Sequence, residues 1–343
     1  MSNKILLYTD NHFCEKASII NMYGTKYSTR IENQLTSINW VEELAASKGC
    51  AAVFCLGDFF DSAELSDKEI TAVQDIKWNN LYHYFIVGNH ESSESSLECN
   101  STKILEGPNR EILSNMTVFS FPNCDLCILP YVVESDRKQL SEYFGVKTDK
   151  KRIILSHNDI KGIQLGPVVS REGFPIDEIE ANCDLFINGH LHNGQFITNK
   201  ILNLGNLTGK DFGENALKYK HNIMILDLDT LEYELIENPY AFNFYTIKIE
   251  EKQDLEVIKS LKNALVTFKC KESLVEDLHE YLELYSKNII KKRELIIKEC
   301  SSTGAEFDIS TLMMDHLTKF AEFCKSVIDN SDVLEAELAE VLK

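Results

Sequence analysis

The sequence predicts an α/β protein built on a mixed or parallel sheet. Three observations carry that expectation. Short apolar runs recur along the chain, helical stretches alternate with them, and five of the runs end next to a residue that can ligate a metal. The five runs are Ile5–Tyr8, Ala51–Leu56, Tyr84–Val87, Ile153–Leu155 and Leu185–Ile187. Apolar runs of this length read as fully buried strands. Behind them stand Asp10-Asn11-His12, Gly57-Asp58, Gly88-Asn89-His90, Ser156-His157 and Gly189-His190-Leu191-His192, which hold five of the chain's nine histidines. In α/β sheets, ligands bind in the crevice beyond the carboxyl ends of the strands. The sequence therefore places aspartate, histidine and asparagine where a site would be built.

The elements follow in order. After Asp10 comes a polar loop, then a helix near Ile31–Lys48 with Leu35, Ile38, Val41, Leu44 and Ala45 on one face. Gly49 fits its C-terminal stop. The strand Ala51–Leu56 precedes a helix expected near Ser66–Trp78, opened by a capping box of Ser66 and Glu69. From Thr117 to Glu237, strands are expected at Thr117–Phe119, Leu126–Leu129, Ile153–Ser156, Leu185–Asn188, Ile201–Leu204, Asn222–Asp227 and Glu232–Ile236. One helix, near Glu134–Phe144, interrupts them. The glycine- and proline-bearing loop Gly162–Pro175 is a candidate wall of the site. The character changes near Asn238-Pro239. Beyond it, Phe242–Ile249 reads as strand, Asp254–Asn263 as helix, Leu265–Lys271 as strand and Leu274–Ile290 as helix. Two further helices are expected at Ser310–Ile328 and Val333–Leu342, with Asp308, Ser310 or Asn330 as caps.

The 343 residues allow one large or two ordinary domains. No apolar stretch is long enough to span a bilayer. Met1-Ser2-Asn3-Lys4 runs straight into a strand without the apolar region of a signal peptide, so a cytoplasmic location is expected. Ten cysteines show no framework spacing, and many, such as Cys55 and Cys183, sit in apolar runs and read as reduced core residues. Cys124 and Cys127 have C-x-x-C spacing, but a lone pair inside a strand-like segment is weak evidence for zinc or redox chemistry. The net charge of −19 argues against gripping nucleic acid by charge alone. Nucleic-acid substrates stay open, because bound cations or a basic partner could offset that charge.

Asp10 and His12 are two apart, a spacing that on a strand end points both side chains the same way. His190 and His192 repeat it. Asp58 can bridge two metals through its two oxygens, Asn89 offers a neutral oxygen and His157 a nitrogen. Mixed imidazole and carboxylate ligands suit manganese, iron or zinc better than calcium. Two metals about 3.5–4 Å apart clamp the attacking and leaving oxygens of a phosphoryl transfer. His90, next to Asn89, is placed to donate a proton to the leaving oxygen or to stabilise phosphate charge. Taken singly, these segments read more readily as surface pairs or turns. Together, each behind a buried strand, they point to a two-metal hydrolase.

As a set, the segments resemble the motif string of the calcineurin-like metallophosphoesterases: D-x-H, G-D-x-x-D, G-N-H-[DE], a lone histidine after a strand, and G-H-x-H. Here they read Asp10-Asn11-His12, Gly57-Asp58-Phe59-Phe60-Asp61, Gly88-Asn89-His90-Glu91, Ser156-His157 and Gly189-His190-Leu191-His192, within residues 4–237. The resemblance implies a four-layer fold, two packed sheets flanked by helices, with metals at the strand ends. Asp10, His12, Asp58 and His192 would hold the first metal. Asp58, Asn89, His157 and His190 would hold the second, and His90 would be the catalytic histidine. Manganese is favoured, with magnesium, iron or zinc as alternatives.

Within that superfamily, the chain most resembles the SbcD-type DNA-repair nucleases and their phage recombination counterparts. Gly205-Asn206-Leu207-Thr208 and Asp211-Phe212-Gly213-Glu214 are similar to that group's G-S-x…F-G-E segment, with Asn206 in place of the serine. Glu91 stands where aspartate is commoner. The resemblance implies a nuclease domain over residues 1–240, a small α+β capping unit over 241–300 and a helical tail over 301–343. It also implies a DNA substrate and an SMC-like ABC ATPase partner clasped by Ser310–Leu342, and leaves a homodimer open. The leading expectation is an exo- and endonuclease subunit of DNA recombination or repair. A phosphatase or a small-molecule or cyclic-nucleotide phosphodiesterase is the alternative, and an inactive scaffold of the same fold is the second.

Overall fold

Side chains of successive strand residues leave on opposite faces, and here both faces are buried. In β1 (Lys4–Tyr8), Ile5 and Leu7 join one hydrophobic cluster while Leu6 and Tyr8 join another. The computed structural model describes residues 3–15, 26–93, 96–165, 168–214, 216–285 and 289–297. The tail helices expected at Ser310–Ile328 and Val333–Leu342, with their caps, lie outside the described residues.

β1 pairs in parallel with β2 (Ala52–Cys55), which pairs in parallel with β3 (Tyr82–Ile86) and through it with β4 (Arg110–Leu113). The second sheet starts from β5 (Thr117–Ser120) and β6 (Cys124–Leu129), followed by β7 (Lys151–Ser156), β8 (Leu185–Asn188), β9 (Gln195–Phe196) and β10 (Ile201–Asn203). Its order is β9-β10-β8-β7-β6-β5, with a parallel centre of β6, β7, β8 and β10. β11 (Asn222–Asp227) and β12 (Tyr233–Glu237) return to the first sheet and pair antiparallel on the other side of β1. Both six-stranded sheets are therefore mixed.

Ile5, Leu7, Phe54 and Ile86 of the first sheet pack on Leu126, Ile128, Ile153, Leu155 and Ile187 of the second. The outer face of the first sheet is covered by α1 (Thr29–Ser47) and α2 (Asp67–Val73), through Ile31, Leu35, Ile38, Val41, Ala45, Ala72 and Val73. The outer face of the second is covered by α3 (Leu140–Phe144) and α4 (Ile176–Asn182), through Leu140 and Ile179. Layers of helix, sheet, sheet and helix match the expected architecture.

Several boundaries differ from expectation. α2 has the capping box of Ser66 and Glu69 but stops at Val73, short of Trp78. The chain beyond is taken by α1: the Lys77 amide donates to Asn39 and the Asn79 amide to Glu42. The helix expected at Glu134–Phe144 splits into a 3-10 turn at Glu134–Asp136 and α3, because Gln139 and Glu142 form a fresh capping box. α4 and β4 were not expected. Cys124 belongs to the core between the sheets and Cys127 to the core under α3 and α4, as residues three apart on a strand must. They face away from each other, which rules out a shared zinc or disulfide role.

A third sheet follows. β13 (Asn243–Ile249), β14 (Ala264–Lys271) and β15 (Ile289–Ile297) run parallel in that order. Tyr245, Ile247, Ile249 and Phe268 pack with Leu255, Ile258 and Leu278 into their own core. The helix expected at Asp254–Asn263 is a 3-10 helix over Lys252–Ser260. The one expected at Leu274–Ile290 is α5 (Val275–Tyr285), and Ile289 and Ile290 instead open β15.

Candidate metal centre

All five ligand-bearing segments lie at the carboxyl ends of parallel strands. Asp10 follows β1, Asp58 follows β2, Asn89 follows β3, His157 follows β7 and His190 follows β8. The first two loops are stitched together through the main chain, with the Asp10 amide donating to the Gly57 carbonyl (3.0 Å) and the His12 amide to the Asp58 carbonyl (2.9 Å). Asp10, His12, Asp58 and His190 all have positive φ, at 50°, 46°, 49° and 71°. Residues other than glycine rarely adopt this region, and such strain collects at functional sites. Asp10 and His12 thus do not share a direction because of strand spacing, as the sequence suggested. They leave an irregular turn, and the turn brings them together.

The side chains gather into clusters whose potential ligand atoms lie within 4.8 Å of one another: Asp10, His12 and His192; Asp58, His157 and His190; and His12, Asp61 and His90. Asp58 connects the first two. Its Oδ2 is 3.2 Å from His157 Nε2 and 3.8 Å from His12 Nε2. Asn89 Oδ1 lies 3.2 Å from His157 Nε2 and 3.0 Å from His190 Nδ1. His190 and His192 separate, the first toward Asn89 and the second toward His12, whose Nε2 is 2.9 Å from His192 Nε2. The shared direction that their spacing suggested is corrected by these distances.

The donor set suits cations. His157 Nδ1 lies 2.8 Å from the Leu56 carbonyl, which only accepts, so Nδ1 carries the hydrogen. In the neutral ring, Nε2 then turns a lone pair toward the oxygens of Asp58 and Asn89. Three acceptors converge, and a proton or a metal ion is what reconciles them. Asp10 Oδ1 is buried and has no hydrogen-bond partner among the described residues. Its Oδ2 accepts from Thr9 Oγ1 (2.5 Å) and the His190 amide (2.9 Å), which fixes the carboxylate.

The ionisation of these groups follows. Burial opposes charge on Asp10, but His157 and His12 beside it bring its pKa down to about 2. Burial likewise opposes the Asp58 carboxylate, and His157 overrides it, holding the group well below the carboxylate range. Burial disfavours the His157 imidazolium, yet Asp58 and Asp10 push its pKa up to about 9. The centre draws in positive charge, as a pair of cation sites must.

A model of the calcineurin-like phosphoesterases matches residues 3–194, more than half of the chain. The chain belongs to that family. It is a metal-dependent phosphoesterase with a candidate dinuclear site of histidine and aspartate. The chain has no match among the curated proteins. Among solved structures it is similar to a novel archaeal phosphodiesterase (16% identity, TM-score 0.36, 68% of this chain and 99% of that one). It is similar also to a dimetal phosphatase from Danio rerio (14%, 0.42, 68% and 98%) and to the calcineurin-like phosphoesterase YfkN from Bacillus subtilis (10%, 0.36, 68% and 88%). Family membership rests on the sequence match rather than on these superpositions.

In this phosphoesterase, several supporting residues escaped the expected site list. Asp61 Oδ1 lies 2.8 Å from His12 Nδ1, and Asp159 Oδ1 lies 3.2 Å from His190 Nε2. Carboxylates behind histidines fix the tautomer and orientation of a ligand ring. Asp61 is legible in the G-D-x-x-D spacing; Asp159, two residues after His157, carries no comparable signal. Glu214 Oε1 accepts from Asn206 Nδ2 (2.7 Å) and the Lys210 amide (2.9 Å) and lies 3.4 Å from His192 Nδ1. Glu91 is fully buried and accepts from the Phe60 and Gly88 amides, tying two ligand loops together. Burial, reinforced by Asp58, pushes its carboxyl up to about 7.

His90 stands at the rim, its side chain 37% exposed. Its amide donates to Asp58 Oδ1 (3.0 Å), and its Nδ1 lies 3.1 Å from the Asp61 carbonyl. That carbonyl requires the hydrogen on Nδ1, which leaves Nε2 as the basic nitrogen of the neutral ring. Burial lowers the His90 pKa. The neutral ring therefore predominates at neutral pH, and Nε2 is an acceptor unless protonated.

Proposed function

We propose that the chain hydrolyses phosphodiesters, with Asp10, His12, Asp58 and His192 holding one metal ion and Asp58, Asn89, His157 and His190 the other. When bound, the ions supply Lewis-acid stabilisation of phosphate charge and an activated water. Manganese fits the mixed imidazole, carboxylate and amide set. Asp58 would serve both ions, Asp61 and Asp159 orient His12 and His190, and Leu56 fixes the tautomer of His157. His90 faces the phosphate through Nε2. It accepts a hydrogen bond in its neutral form and gives up a proton only as imidazolium.

The observation that carries the diester reading is a cleft of about 970 Å³ that reaches the centre at Asn89, with Tyr131, Met116, Ser114 and Arg137 among its walls. Tyr131 tilts over His190 with ring centroids 5.9 Å apart. A cleft of this size takes a substantial ester arm, which a phosphomonoester of a small alcohol does not need. A second cleft, about 470 Å³, meets the centre at Asp61 and is lined by Glu15, Glu64 and Glu69. Its carboxylates disfavour a polyanion there. This favours diesters of small molecules, including cyclic nucleotides, as substrates of the isolated chain.

The finer reading, an SbcD-type DNA nuclease subunit working with an SMC-like ATPase, is the second proposal. It is supported by the Asn206–Glu214 segment, which buttresses His192, and by the added third sheet. A manganese-dependent assay on bis-nitrophenyl phosphate, nitrophenyl phosphate, a cyclic nucleotide and long DNA, with and without a coexpressed ATPase, decides between them. The diester reading expects bis-nitrophenyl phosphate to be cleaved faster than the monoester. Preference for the monoester overturns it, and DNA cleavage that appears only with the ATPase establishes the nuclease subunit.

A further inference from the structure

Lys210 brings its ammonium to 2.7 Å from Asp61 Oδ1 and 3.1 Å from His12 Nδ1. The same Asp61 oxygen lies 2.8 Å from the same His12 nitrogen. These three contacts cannot all be hydrogen bonds together, because lysine only donates and a carboxylate only accepts. When Nδ1 carries the hydrogen it donates to Asp61 and meets the ammonium hydrogen to hydrogen. When it is bare it accepts from Lys210 and faces Asp61 lone pair to lone pair. A histidine that ligates through Nε2 donates its other N–H to its carboxylate. Metal ligation by His12 therefore selects the first arrangement and deprives Lys210 of one of its two acceptors.

We propose that Lys210 then binds a non-bridging oxygen of the substrate's phosphate. The inference rests on the phosphoester reading of the same centre and names a substrate-holding residue for it. The position favours this. The Lys210 side chain is 21% exposed at the rim, and the Asp61 oxygen that it touches is 3.7 Å from His90 Nδ1. Lysine and the rim histidine thus flank one carboxylate at the mouth of the centre.

The main chain beneath Lys210 is held, so only its stem moves. Its amide donates to Glu214 Oε1, and the preceding Gly209 donates to the Phe242 carbonyl (2.8 Å) with no room for a side chain. A flexible stem carrying three rotatable donors suits a tetrahedral anion. The lysine charge also offsets Asp61, the rim carboxylate that is assigned to neither metal.

The test is titration of the manganese-loaded full chain with inorganic phosphate by calorimetry, beside steady-state kinetics on bis-nitrophenyl phosphate. Lys210→Met should weaken phosphate binding about tenfold or more, as loss of a hydrogen bond to a charged group does. KM should rise in proportion, with kcat less affected and metal content unchanged. Lys210→Arg should recover most of the affinity. Unchanged phosphate affinity in a metal-replete Lys210→Met protein overturns the proposal, and so does loss of metal from that variant, which would mark Lys210 as a support for Asp61. Should Lys210→Met not fold, Lys210→Gln keeps a donor to Asp61 without the charge, and unchanged affinity there overturns the proposal equally. Wild-type protein that hydrolyses no phosphoester removes the underlying reading and this inference with it.

Discussion

Asp58 touches both halves of the centre, lying 3.8 Å from His12 Nε2 and 3.2 Å from His157 Nε2, and among the described residues no other carboxylate pairs with both. Asp58→Ala should empty both metal sites, since each loses a ligand and the two cations lose the charge between them. Elemental analysis that finds the variant fully loaded would sink the bridging role. His90 makes a different prediction, because its Nδ1 lies against the Asp61 carbonyl, its side chain is partly exposed, and it reaches Asp58 through its main-chain amide. His90→Gln should keep metal content while lowering turnover on the order of 10²–10⁴, the size of a general acid–base contribution. Its lowered pKa gives the sign of the pH effect. The imidazolium is lost as pH rises through a value below 6.5, so a rate that needs His90 as proton donor falls across that acidic range. A rate that instead rises there would identify the neutral ring as the working form. The proposed ligand residues were readable from the sequence because their segments stand directly behind apolar runs. Asp159 and Lys210 were not, because their roles depend on loops meeting across the fold.

At the scale of elements, the strands were legible and their ends less so. Both faces of β1, β2 and β7 are buried, and continuous apolar runs announce that in any sequence. α2 ended early because Asn39 and Glu42 of α1 claimed the backbone donors beyond it, and the helix at Glu134–Phe144 broke because its own Gln139 and Glu142 start a new helix there. Ile289 and Ile290 read as helix by spacing but pair with β14, a contact that local periodicity does not contain. The loops that follow the strands carry the strain: four of the site residues have positive φ. Gly57 has φ +107°, and a methyl group there would collide with the ring of His157. Gly57→Ala should therefore push His157 off its Leu56 partner and away from Asp58. We expect metal affinity at the Asp58–His157–His190 site to fall by about 10–100-fold, the usual effect of disturbing a ligand's support. The Asp10–His12–His192 site should be affected less. Equal loss at both, measured by competition with a metal-binding dye, would show that the two clusters do not behave as separate sites.

The whole molecule poses a problem of charge that no single residue solves. A phosphoesterase acts on anions, yet this chain carries a net charge of −19, and the cleft at Asp61 is walled by further carboxylates. Two bound divalent ions and Lys210 reverse the sign only locally, while longer-range repulsion acts across a Debye length of about 10 Å at 0.1 M salt. A long polyanion feels that repulsion before it reaches the centre; a small diester carrying a single charge feels little of it. For the isolated, metal-saturated chain, kcat/KM on long DNA should therefore rise with ionic strength, whereas kcat/KM on bis-nitrophenyl phosphate should stay nearly flat. Proteins that grip DNA through a basic surface behave in the opposite way, losing affinity steeply as salt displaces their contacts. A partner that supplies such a surface should invert the slope for DNA and leave the small diester unchanged. Measuring both substrates across one salt series, with and without the ATPase, thus separates a self-sufficient small-molecule enzyme from the catalytic subunit of a larger nuclease. A DNA rate that falls with salt for the chain alone would mean that it carries a basic path of its own, and that the net charge was the wrong guide to its substrate.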